Sequence, residues 1–209
     1  MVGYHRFMVR FVASLVIAAL LVVPARGEDL FIFVRDGTYA DVEQALASRQ
    51  WSPDELGKAL IAAAGLNKLK EATLLLAKGA DVNYRMVDRN GVIVAVTEDN
   101  AEVLDVLLKN GGDPNWRGAF DWRPLHYAMA RGRSFDKGLL LLLQYGADVN
   151  ATTNLQITPL HRAAGFCLRN AVEILLQHGA DKLLREKYGK TAAQRAAKAG
   201  CNDIAAMLQ

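Results

Sequence analysis

The hydrophobic pattern divides the chain into two unlike parts. Residues 1–10 carry Arg6 and Arg10 and no acid, and residues 11–23 (FVASLVIAALLVV) are apolar except for Ser14. Beyond residue 28 no comparable run recurs. Short amphipathic stretches follow one another instead, each with its apolar residues on one helical stripe. In VEILLQHG, Val172, Ile174, Leu175 and Leu176 form such a stripe, and Gly179 predicts a left-handed helix stop. The pattern predicts short helices in pairs, joined by polar turns.

The first part reads as an address. Pro24 breaks the apolar run, and Ala25-Arg26-Gly27 places small residues at the −3 and −1 positions of a cleavage site. A basic start, an apolar stretch and a small-x-small end describe a secretory signal peptide over 1–27, with the mature chain expected to begin at Glu28. The apolar stretch covers about 20 Å as a helix, less than the ~30 Å hydrocarbon core. An uncleaved inner-membrane anchor is the alternative.

The second part repeats. LLLAKGADVN (74–83), LLKNGGDPN (107–115), LLLQYGADVN (141–150) and LLQHGAD (175–181) share one pattern, and their glycines at 79, 111, 146 and 179 are spaced by 32, 35 and 33 residues. Upstream stand KALIAAA (58–64), RPLHYAMA (123–130), TPLHRAA (158–164) and KTAAQRAA (190–197). In TPLHRAA the threonine can cap a helix, and proline fits its first turn, where the missing N–H costs nothing. A single helix–turn–helix unit cannot bury its own apolar face, whereas a stack can.

These residues and this spacing resemble the ankyrin-repeat family, whose tetrapeptide is Thr158-Pro159-Leu160-His161 here and whose period is about 33. The resemblance implies an all-α solenoid of five to six helix–turn–helix units with protruding hairpin-like loops. The units are 28–57 (a degenerate polar cap), 58–89, 90–122, 123–157, 158–190 and 191–209. Unit 90–122 has NGVIVAV where TPLHxAA is expected, which predicts a short or distorted first helix. Unit 123–157 carries two extra residues around RGRSFDKG (131–138), which predicts a longer turn.

Candidate chemistry is sparse. His126 and His161 recur at the fourth tetrapeptide position, where the family uses histidine to bond neighbouring loop backbone. No metalloprotease, nucleophile-elbow or phosphate-loop motif stands in its required context. No catalytic residue, metal site or cofactor is therefore expected. Cys167 and Cys201 occupy inter-helix turns of adjacent units. Stacked helices lie ~8–10 Å apart and a disulfide needs Cα atoms within about 7 Å, so a bridge requires the units to lean together. Two buried thiols are the alternative.

The family resemblance implies a binding surface made of loop tips and first helices. Carried onto this chain, it names Tyr84, Arg85, Trp116, Arg117, Phe120, Trp122, Arg131, Leu155, Ile157, Phe166, Lys187 and Tyr188. Aromatic residues and arginine dominate interface hot spots, and WRGAFDWR (116–123) gathers three aromatics and two arginines in one loop. An internal role for Trp116 or Trp122, folded over the neighbouring loop, is the competing reading.

Charge is unevenly divided along the chain. The whole chain holds 25 basic and 22 acidic residues, net +3. Arg6, Arg10 and Arg26 all lie in 1–27, so the mature chain holds 22 of each. Residues 28–115 carry 9 basic and 15 acidic groups, and 116–209 carry 13 and 7. The array is acidic early and basic late, a field able to orient an encounter. An exported chain of this charge has little reason to meet nucleic acid. With two cysteines it is no disulfide scaffold, and with 52% hydrophobic residues it is not disordered.

The expected function is that of a non-catalytic protein-binding module, monomeric when free. It resembles exported periplasmic bacterial ankyrin-repeat proteins. The expected role is an immunity protein or inhibitor of a toxic effector enzyme such as a phospholipase. A scaffold or helper of a periplasmic enzyme, for example in oxidative defence, is the alternative, and an enzyme on a repeat frame the remote one.

Overall fold

A computed structural model describes residues 29–209 apart from Arg131 and Arg133. The expected signal segment 1–27 and the candidate contact Arg131 lie outside the described residues. Twelve α-helices are described, and no strand. They are α1 (Leu30–Asp36), α2 (Tyr39–Ser48), α3 (Pro53–Gly65), α4 (Leu69–Ala77), α5 (Gly91–Thr97), α6 (Ala101–Lys109), α7 (Pro124–Tyr127), α8 (Asp136–Gln144), α9 (Pro159–Gly165), α10 (Arg169–Gln177), α11 (Ala192–Ala199) and α12 (Asn202–Met207). None of them is long and apolar enough to cross a membrane.

The helices form two layers. The first helices pack in a row, α1 on α3, then α5, α7, α9 and α11, and the second helices α2, α4, α6, α8 and α10 pack behind them. Large buried residues fill the seam: Leu60, Leu125 and Leu160 from the first row, and Leu75, Leu107, Leu142 and Leu175 from the second. All are less than 2% exposed, so each unit completes its core only against its neighbours.

The local sequence explains the boundaries. Ser52, Thr158 and Thr191 cap α3, α9 and α11 from the side chain. The glycines at 79, 111, 146 and 179 all adopt φ between 84° and 87°. At the end of α10 the Gly179 amide donates to the Leu176 carbonyl (3.0 Å) and the Ala180 amide to Leu175 (2.9 Å). This nested pair satisfies two of the last carbonyls, and it needs a left-handed residue, which glycine supplies without a Cβ penalty.

The expectation of a distorted first helix in unit 90–122 is not met. Helix α5 spans Gly91–Thr97, the same length as α9, and Asn90 takes the capping role of the absent threonine by accepting from the Ile93 amide at 3.0 Å. Val92, Ile93, Val94, Ala95 and Val96 are all buried. Burial between two neighbours outweighs the modest helix cost of β-branched residues. The shortened helix is α7, in unit 123–157, where a long turn follows and the Phe135 amide returns to the Ala128 carbonyl at 3.0 Å.

Candidate partner-binding surface

Four hairpin-like loops project from the array. Each is closed by backbone hydrogen bonds: Met86 with Arg89, Gly118 to Trp122 (2.8 Å), Thr153 to Ile157 (3.1 Å) and Glu186 to Lys190 (3.0 Å). Three of the four tips are also joined to one another. The Asn154 amide donates to the Phe120 carbonyl at 3.1 Å, and the Lys187 amide donates to the Leu155 carbonyl at 3.0 Å. The tips therefore form a connected edge rather than independent loops.

That edge is apolar at its crest. Phe120 is 71% exposed and Tyr188 72%, with Leu155 half-buried between them, while Val87, 79% exposed, stands on the separate Met86–Arg89 loop. Phe120 sits at φ 57°, a left-handed conformation uncommon for an aromatic residue, and this turns its ring outward at the tip. Arg117 and Lys187 are exposed beside them, with Arg117 3.6 Å from Asp121.

Other candidate contacts are committed to the frame. The Tyr84 hydroxyl donates to Asp54, and its ring fills the space over Gly57 so closely that a Cβ there would stand 2.1 Å from it. Arg85 is exposed, donates to the Val87 carbonyl at 2.7 Å and reaches over half-buried Trp116 at 5.9 Å. Trp122 packs edge-on against Tyr127 at 5.2 Å. Ile157 is half-buried, and its carbonyl accepts from His126 at 2.9 Å.

The histidines are structural. His126 is fully buried; its Nδ1 accepts from the Arg123 amide (3.1 Å) while Nε2 donates to Ile157. His161 repeats this, its Nε2 donating to Lys190 at 3.0 Å. Burial, more than any other influence, pulls His126 down to about 4 and lowers His161 as well. Both imidazoles are held neutral, as an accepting Nδ1 requires.

The first-helix side of the surface centres on Arg162. Its guanidinium lies 4.0 Å from the Trp122 ring centroid and 5.1 Å from that of Phe166, which is 45% exposed, and it donates to the Met129 carbonyl at 3.2 Å. At the inter-helix turns, Cys167 and Cys201 are joined as a disulfide with Cα atoms 5.7 Å apart, inside the bonding range. The units do lean together there. Cys167 is exposed, so the alternative of two buried thiols is not what the structure shows.

A family model described as ankyrin repeats, in three copies, matches residues 60–153, 92–185 and 125–209. The chain belongs to the ankyrin-repeat family. Among its relatives, YahD of Escherichia coli strain K12, itself named as an ankyrin repeat protein, is 31% identical over 163 residues, covering 74% of this chain and 80% of the relative. The mitochondrial disaggregase of Bos taurus is 33% identical over 146 residues, 67% of this chain and 21% of that protein. Alpha-latrocrustotoxin-Lt1a of Latrodectus tredecimguttatus is 34% identical over 116 residues, 54% of this chain and 8% of that protein. The chain thus spans most of the bacterial relative and only a small part of the two large ones.

Ankyrin repeats are in general non-catalytic modules that mediate protein–protein interaction. Among the described residues, no group of three or more His, Cys, Asp or Glu side chains could hold a metal ion. The surface offers aromatic, aliphatic and guanidinium contacts on a braced frame. The repeat pattern gives no reason to single out Arg162, which stands between two motif residues, His161 and Ala163. The aromatic partners that stack on it come from a different loop and from the helix end, and only the folded array brings them together.

Proposed function

We propose that the mature chain is an exported, monomeric binding module that occludes a partner protein, in the manner of an inhibitor or immunity protein for a toxic effector enzyme such as a phospholipase. The observation that carries this reading is the connected loop edge. Phe120 and Tyr188 are more than two-thirds exposed, and the loops that carry them are tied together through the loop of Leu155 by inter-unit backbone bonds. Exposed apolar side chains on a preorganised edge lose little conformational entropy on binding. The basic N-terminus, apolar run and small-residue cleavage site support export, and a disulfide between Cys167 and Cys201 suits an oxidising compartment. The 80% coverage of YahD supports a bacterial source.

Two linked experiments test it. N-terminal sequencing of the exported protein is expected to begin at Glu28; a sequence beginning at Met1 contradicts cleavage and points to an anchored form. Affinity capture with the mature protein from its native compartment is expected to recover one stoichiometric enzyme whose activity falls on binding. A captured enzyme whose activity is preserved or raised would favour the scaffold reading, and recovery of nothing would oppose both.

A further inference from the structure

The surface around Arg162 holds more positive charge than the fold uses. Arg162 on α9 and Arg195 on α11 belong to adjacent first helices. Gly165, one turn along α9 from Arg162, has no side chain, and the Arg195 guanidinium passes beside it: a Cβ at 165 would lie in ordinary contact, 3.5 Å from Arg195 Nε. No ion pair joins either arginine to a carboxylate among the described residues. Buried Glu186 acts on the same His161 as Arg195 does, but pairs with neither guanidinium. Arg162 Nε is buried without a hydrogen-bond partner.

We propose that Arg162 and Arg195 form a carboxylate-binding site for an acidic segment of the partner protein, flanked by Trp122 and Phe166. This deepens the binding reading above and rests on it. The two rings hold the Arg162 plane in place, so the Nη hydrogens not used by Met129 are preorganised for a charge-assisted bond to a carboxylate. Burial, and after it the neighbouring Arg195, pull the Arg162 guanidinium down to about 10, which marks a group short of counter-charge. The negative charge of an incoming carboxylate offsets both effects. The excess of basic over acidic residues from 116 to 209 gives the same sign of complementarity over a wider area.

The test is selection of short random peptides on the intact mature protein, followed by titration of the selected peptides into wild type, Arg195→Gln and Phe120→Ala/Tyr188→Ala. Arg195→Gln leaves the Trp122–Arg162–Phe166 stack in place, and an unchanged thermal midpoint verifies its fold. The expected result is enrichment of Asp and Glu and about tenfold weaker binding to Arg195→Gln, as for loss of a charge-assisted contact. Arg162→Gln/Arg195→Gln is expected to weaken binding further. The proposal is overturned by peptides without acidic bias, by wild-type affinity in Arg195→Gln, by an empty selection, or by a single-stranded oligonucleotide binding as tightly as the peptides. Peptides that lose affinity only in Phe120→Ala/Tyr188→Ala would remove the carboxylate site and leave the loop-edge reading standing.

Discussion

Asn115 shows how one residue joins two units. Its side-chain amide donates to the Gly146 carbonyl at 2.9 Å, and its side-chain oxygen accepts from the Asp148 amide at 2.8 Å. Asn83 and Asn150 do the same one unit before and one unit after, bonding Gly111 with Asp113 and Gly179 with Asp181. Replacing Asn115 by Ala leaves both backbone groups without their partner and is expected to cost about 1–2 kcal/mol in denaturant unfolding. Wild-type stability in that variant would show that water substitutes for the ladder. His126 supplies the pH dependence. Its folded value of about 4 lies below the ordinary 6.5, so between those values the unfolded chain binds a proton that the folded chain does not. Its contribution is complete above pH 6.5 and is lost as pH falls toward 4, by up to about 3 kcal/mol. His161 is lowered too and acts in the same direction. Stability measured across this range is expected to fall more steeply in wild type than in His126→Gln; equal slopes would contradict the burial argument.

At the scale of the elements, the glycine stops and the paired helices were legible because they depend on neighbours in sequence. The regular α5 was not legible, because its valines are stabilised by packing against α3 and α7 of the neighbouring units as well as α6 of its own. The link between Cys167 and Cys201 was legible only as a condition. The 5.7 Å approach follows from how one turn leans on the next, which no spacing states. The same position reaches backward elsewhere: Lys68 Nζ donates to the Gly37 carbonyl at 2.9 Å, and the Asn100 side chain donates to Ala64 at 2.7 Å. The disulfide is thus a covalent form of a contact that recurs along the array. Removing it with Cys201→Ser is expected to cost about 2–4 kcal/mol. Hydrogen exchange should accelerate mainly in α11 and α12, because repeat units contact only their neighbours. Uniform acceleration from α3 onward would contradict that locality, and alkylatable thiols in the unreduced native protein would contradict the bond itself.

For the whole molecule, the candidate surface was half legible. The sequence pattern places aromatics and arginines in the loops, but not their direction. Phe120 and Tyr188 point outward, whereas Tyr84 and Trp122 brace the frame. What emerges is a stack with an apolar loop edge and an acidic-to-basic field along its length. That field predicts faster association with the partner at low salt than at high salt. The proposed function assigns affinity to the edge itself. The most direct test is calorimetric titration of the captured partner into wild type and into Phe120→Ala/Tyr188→Ala, with thermal midpoints matched. The account predicts at least about tenfold weaker binding in the double variant, in line with loss of two exposed aromatic anchors. Equal affinity of the two proteins would place the interface elsewhere and contradict the account.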